Sequence, residues 1–279
     1  MCNLKKILLA AGIAISVTTS ALAGPLFDRI KAGESIRLGF AAEPPFAYPG
    51  DKNQPLGFAN AIAIQALKEM GHDNIEPVVT DWGGMIPGLN AGRLDIVTGG
   101  MYILKERCAN VDFSAPIGRF GDGLIVPKGN PKGLKNYADI KAGGAVMVTG
   151  AGYNTISAAK SEGIAEGNIM QVPGPTEILA AVRAGRADAG VLPFLEAHRL
   201  ATHESDTIEA TDPTAMPDWT FNWIGLGFRK DDDDFRQAFD AALAKVIGTP
   251  EMLAAVEKFE YVRENLPGDT KTDWVCANR

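Results

Sequence analysis

Residues able to do chemistry are few in this chain. The three histidines, His72, His198 and His203, do not read as a metal site, because the last two are five apart and a helix brings together residues three or four apart. Surface positions are the plain expectation for them. No Gly-x-Ser-x-Gly elbow, Walker loop or Cys-x-x-Cys pair occurs, and Gly150-Ala151-Gly152 lacks the third glycine and the downstream acid of a dinucleotide fingerprint. No catalytic residue, metal or cofactor is therefore expected, and an enzyme has no support in the motifs. More informative is the stretch 93–114, where the apolar strand Leu94-Asp95-Ile96-Val97-Thr98 runs into Gly99-Gly100 and a polar turn then carries Arg107. Backbone can approach a bound molecule closely at such glycines, with a cation a few residues away. That is chemistry for recognition.

The elements that must position these residues follow from apolar patterning. Of the residues, 46% are hydrophobic, with 31 Gly and 17 Pro, which fits a globular protein with a sizeable core, as one large domain or two smaller ones. Lys+Arg 27 against Asp+Glu 34 gives a formal charge of −7. No polybasic surface is available to neutralise phosphates, so neither nucleic acid nor an anionic membrane is an expected partner. Residues 1–23 read as a secretory signal peptide: Lys5-Lys6 precede the apolar run Ile7 to Ile15, and Ala21-Leu22-Ala23 is a small-x-small cleavage site. The run is shorter than the roughly 20 residues of a membrane span. Cleavage removes Cys2 and leaves Cys108 and Cys276 in an oxidising compartment, as one bridge or as two buried thiols.

Short strands alternate with helical segments from Ile36-Arg37-Leu38-Gly39-Phe40 onward, the pattern of β-α-β units and largely parallel sheets. In the segment Asn60 to Met70, Ala61, Ile64, Leu67 and Met70 are expected on one buried face, with Gly71 as the stop. A second series begins after the Pro/Gly/Lys cluster 127–133 and contains strands at 145–149, 169–172 and 187–192. An apolar strand at 223–228 then precedes the acidic run Asp231 to Asp234, read as the start of a helix with Phe235, Phe239, Leu243 and Val246 on one stripe. The division expected is lobe 1 from 24–127 plus 227–279 and lobe 2 from 128–226. A ligand is expected in the cleft between the lobes, with closure around it.

The run Arg93 to Ser114, together with Gly185-Arg186-Ala187-Asp188-Ala189, resembles the periplasmic solute-binding proteins of ATP-driven polar amino-acid importers over essentially all of 24–276. The resemblance implies an α/β fold of the type II periplasmic binding protein kind, a monomer in the periplasm, and delivery of a small zwitterion to an inner-membrane ABC permease. Gly39 to Phe46, Gly100 to Ile103 with Arg107-Cys108, Lys128 to Pro131, and Leu266-Pro267-Gly268-Asp269 with Cys276 are similar to the ectoine/hydroxyectoine-binding receptors of that class. Carried over position by position, Arg107 would fork onto the ligand carboxylate, Glu43 would face its cationic ring, and Phe46, Trp82 and Tyr102 would cage it. Gly100, Gly152, Tyr153 and Pro193 complete the expected ligand-binding set, with backbone donors of the loop at Gly152 opposite Arg107. Pro193 stands where amino-acid receptors place an Asp for the α-ammonium, which favours a charge in a ring or on a substituted nitrogen. The plainer alternatives are core packing for Phe46, Trp82 and Tyr102 and a surface ion pair for Arg107. Functional alternatives are a receptor for another amino acid, opine or betaine-like ligand, or a secreted dehydratase on the same scaffold.

Overall fold

The computed structural model describes residues 26–279; the expected signal peptide lies outside them. The first lobe begins with α1 (Leu26–Lys31) and β1 (Ile36–Phe40), then a small hairpin of β2 (Tyr48–Pro49) and β3 (Pro55–Leu56). It continues through α2 (Phe58–Glu69), β4 (Ile75–Val79), α3 (Met85–Asn90), β5 (Ile96–Tyr102), α4 (Lys105–Cys108), β6 (Asp112–Phe113) and β7 (Gly118–Phe120). The second lobe comprises β8 (Asp122–Pro127), α5 (Tyr137–Ala142), β9 (Met147–Gly150), α6 (Asn154–Glu162), β10 (Ile169–Val172), α7 (Pro175–Arg183), β11 (Ala189–Pro193), α8 (Phe194–His203) and β12 (Ile208–Ala210). The chain returns to the first lobe with β13 (Asn222–Phe228), α9 (Asp233–Val246), α10 (Pro250–Val256) and α11 (Thr272–Asn278).

Two sheets result, ordered β4-β1-β5-β13-β6 with β7 also on β13, and β10-β9-β11-β8-β12. β1 pairs in parallel with β4 and β5, and β9 with β10 and β11. The returning strands β13 and β8 run antiparallel to their neighbours. Helices cover both faces of each sheet, so the central strands β5 and β13 are buried along their whole length, as strands coated on both sides must be.

The sheets divide the chain near Gly121 and Phe221, several residues before the expected boundaries at 127 and 226. The whole of β8 belongs to the second sheet and the whole of β13 to the first. Apolar runs at 122–127 and 222–228 fit either sheet equally well, so patterning does not locate the crossing; the pairing of Asn222 with Phe120 does. A Cβ on Gly121 would lie 3.1 Å from the Phe221 ring, and the Phe194 amide donates to Gly121 O. The two crossing segments thus touch.

Two further expectations shift. On α2 the buried face is Phe58, Ala59, Ile62, Ala63, Ala66 and Leu67, one residue round from that expected, leaving Ala61, Ile64 and Met70 half-buried. Small alanines let this face close onto β5 and α9. β5 does not end at Gly99-Gly100 but continues to Tyr102. Asp95, just before it, is spent as an anchor: its buried carboxylate accepts from Arg37 at 2.8 and 2.9 Å, from Arg29 at 2.5 Å and from Arg229 at 3.1 Å. Burial opposes its ionisation, yet the hydrogen bonds from Arg37 win and hold its carboxyl below the ordinary range.

Candidate functional site

Arg107 is delivered by the short α4 immediately after β5. Its Nη1 donates to Tyr102 O at 3.0 Å, and its neighbour Cys108 is bridged to Cys276 in α11, 168 residues away. The side chain is buried, and Nη2 reaches across to the second lobe to donate to Gly152 O at 2.9 Å. Trp82, in a 3-10 turn of the first lobe, donates from Nε1 to the same oxygen at 3.1 Å. The guanidinium carbon lies 5.6 Å from the Trp82 ring centroid, within cation-π range. Gly152 has φ +80, and a Cβ there would lie 3.3 Å from Trp82 Cδ1, so a side chain is opposed by both backbone and neighbour.

Besides the loop amides expected opposite Arg107, the loop thus presents an acceptor to the guanidinium itself. A carbonyl faces the guanidinium, because the left-handed turn at Gly152 points its oxygen inward and a guanidinium can only donate.

Tyr153 packs edge-on against Trp82 at 5.5 Å, and its hydroxyl donates to Glu43 Oε1 at 2.6 Å. Glu43 stands in the tight turn after β1, where its amide and carbonyl both bond Ala47. Burial pushes its carboxyl up to about 7, against the opposing pull of the Tyr153 hydroxyl and Arg107. Burial lowers Arg107 to about 10, so it remains a cation at neutral pH.

Five of the expected residues, Glu43, Trp82, Arg107, Gly152 and Tyr153, thus come together at the junction of the lobes. Tyr102 is buried beside them, its phenol raised well above the ordinary value by burial and by Asp122 and Glu196, and its hydroxyl has no partner among the described residues. Phe46 does not join a cage. Its ring sits in the first-lobe core, 4.9 Å from Phe58 and 5.2 Å from Phe120. Gly100 serves that core too: at φ +75, a Cβ on it would lie 2.6 Å from Phe46 Cδ1, so the glycine makes room for a protein ring. Pro193 ends β11 opposite Asp122 and caps α8, bringing no charge.

Two acids at the junction are not marked by the sequence. Asp122 opens β8 and accepts from Tyr137 Oη at 2.7 Å and Asn154 Nδ2 at 3.1 Å; burial raises its carboxyl to about 6. Glu196 lies in the first turn of α8, 2% exposed, and burial and then the Glu43 charge raise it well above the ordinary range. An acid in a helical first turn reads as a dipole complement at the surface. Nothing in its spacing marks it as interior. Among the described residues no group of His, Cys, Asp and Glu is placed to hold a metal, and no helix is long and apolar enough to cross a membrane.

These shifts fix a pH dependence. Glu43 and Asp122 hold protons at higher pH when folded than their ordinary 4.5 and 3.8, so across the interval between those values and about 7 the folded chain binds more protons than the unfolded one. Stability of the ligand-free protein therefore falls as pH rises through that window, and Glu196, raised beside Glu43, extends the fall to higher pH. Thermal melts should give a higher Tm at pH 5 than at pH 8, and Glu43→Gln should flatten the slope. An unchanged slope in the variant would show that Glu43 is not so buried.

A family model described as bacterial extracellular solute-binding proteins, family 3, matches residues 36–261. A probable amino-acid ABC transporter periplasmic-binding protein, y4tE of Sinorhizobium fredii, is 30% identical over 277 residues, covering 96% of this chain and 92% of the relative. The L-cystine-binding protein TcyJ of Escherichia coli is 28% identical over 236 residues, 84% of this chain and 85% of its own. Among solved structures, EhuB in complex with hydroxyectoine superposes with TM-score 0.82 at 30% identity, covering 91% of this chain and 98% of that one.

Proposed function

The chain belongs to the bacterial extracellular solute-binding proteins of family 3, and from that premise we propose that its ligand is an amino acid or a close amino-acid-like zwitterion. Proteins of this family are periplasmic and non-catalytic, and bind a small polar solute for the membrane permease of an ABC importer; this chain is such a receptor.

One contact carries the proposal: the buried Arg107 guanidinium donates across the lobes to a neutral carbonyl, Gly152 O. A ligand carboxylate is a stronger acceptor for the same fork, since it brings a full negative charge and accepts two parallel N–H bonds where the carbonyl accepts one. With the carboxylate on Arg107, the ligand's cationic nitrogen falls to Glu43, flanked by the rings of Trp82 and Tyr153, which offer the π faces that a desolvated cation needs. y4tE, named for amino acids, and TcyJ, named for L-cystine, support an amino acid. Ectoine or hydroxyectoine is the second reading, favoured by the likeness to the EhuB complex. We take the protein to act as a monomer.

A thermal-shift panel of amino acids, opines, betaines and ectoines at matched concentrations tests the assignment, because a true ligand raises Tm through mass action. Micromolar affinity corresponds to about −8 kcal/mol. Trp82→Ala should weaken binding of the ligand so found by roughly 0.5–2 kcal/mol, or about 2- to 30-fold in Kd by calorimetry. Unaltered affinity would remove Trp82 from the site, and a panel in which only the ectoines shift Tm would replace the first reading by the second.

A further inference from the structure

The acids at the lobe junction outnumber what a zwitterion needs. Glu43, from the turn after β1, and Glu196, from α8 of the second lobe, are both buried and close enough for the Glu43 charge to act on Glu196. The titratable groups facing them are Tyr102 and Arg107 from the first lobe and Tyr153 from the second, with Asp122 beyond them on the far side of Tyr102. Asp122 is already satisfied by Tyr137 and Asn154, and Glu43 by Tyr153. Glu196 Oε1 and Tyr102 Oη, both buried, have no hydrogen-bond partner among the described residues. Buried polar atoms are rarely left so unless something else completes them.

We infer that Glu196 is a second anionic contact for the ligand, and that the site therefore prefers an amino acid with a cationic side chain over a neutral zwitterion. The inference rests on the reading that Arg107 holds the ligand carboxylate. That carboxylate cancels the guanidinium charge, leaving Glu43 and Glu196 to be matched. A neutral amino acid or an ectoine brings one cationic centre, so one of the two acids must keep a proton. An amino acid carrying an α-ammonium and a second cationic nitrogen matches both, and the proton so retained leaves to solvent. Tyr102 Oη, beside Glu196, is placed to orient the second nitrogen's contact.

Calorimetry of the purified protein at pH 7 with L-arginine, L-lysine, L-ornithine, L-glutamine and ectoine tests this, run in two buffers of different ionisation enthalpy. The dibasic ligands should bind at least tenfold tighter than glutamine or ectoine and should release more protons. Glu196→Gln, which keeps the side-chain shape, should weaken the dibasic ligands at least tenfold and change the neutral ones less than threefold. Equal effects on both classes, or neutral ligands binding tighter with the same proton count, would overturn the role of Glu196 while leaving the amino-acid assignment intact, provided binding is lost in Arg107→Ala. Binding that survives Arg107→Ala, or no binding by any of these ligands, would overturn both. The proton count on the wild-type protein separates these outcomes even if the variant misfolds.

Discussion

Arg107→Ala should abolish ligand binding, with Kd rising at least a hundredfold by calorimetry. The guanidinium is buried and positioned from two directions, by its own bond to Tyr102 O and by the bridge at the adjacent Cys108. Truncating one partner of a buried charge pair costs roughly 2–5 kcal/mol, largely because the other charge is left without a counterpart. Here the loss is compounded, since Arg107 is also the cation that opposes the upward shift of Glu43. Arg107→Lys should recover only part of the affinity, as an ammonium cannot reproduce a planar two-bond fork. A Kd for Arg107→Ala within threefold of wild type would remove the carboxylate from this position.

Removing the Cys108–Cys276 bridge, by reduction or as Cys108→Ser/Cys276→Ser, should lower stability by roughly 3–5 kcal/mol, because it closes so long a loop in the unfolded chain. For a protein of this size that corresponds to a Tm drop of roughly 10 °C. Binding should weaken less, by several-fold. The α4 turn that presents Arg107 keeps two other ties, the Lys105 amide on Arg279 O at 2.9 Å and Lys230 Nζ on Cys108 O at 3.0 Å. Calorimetric scans with and without reductant check the first part and titrations the second. Equal Tm values in both redox states would mean the bridge closes a loop already compact when unfolded.

Much of the fold was legible because strand and helix periodicities alternate so regularly from Ile36 onward. The site was legible only in outline: a polar turn carrying Arg107 follows the strand that positions it, its role resting on the family resemblance, and two cysteines in an oxidising compartment left one bridge or two thiols open, which the Cys108–Cys276 bond decides. Residues whose role depends on distant packing were not. Phe46 and Trp82 are both aromatics in loops near glycines, yet one faces Phe58 and Phe120 while the other faces Tyr153 of the opposite lobe. Glu196 is interior because α8 packs over β8 and its carboxyl comes within range of Glu43 of the first lobe. The crossing near Gly121 was blurred for a related reason: a run buried on both faces carries no signature of which sheet it joins.

The oxygen of Gly152, shared by Arg107 and Trp82, ties two first-lobe side chains to a single atom of the second lobe. Any carboxylate that takes the Arg107 fork must compete with this oxygen for it, so the lobe contact and the ligand contact are exchanged rather than added. The two hydrogen bonds, about 1 kcal/mol from the neutral indole and roughly 1.5–3 kcal/mol from the charged guanidinium, set what a carboxylate must exceed. Ligand affinity should therefore fall with any substitution that strengthens this hold and rise with any that loosens it while sparing Arg107.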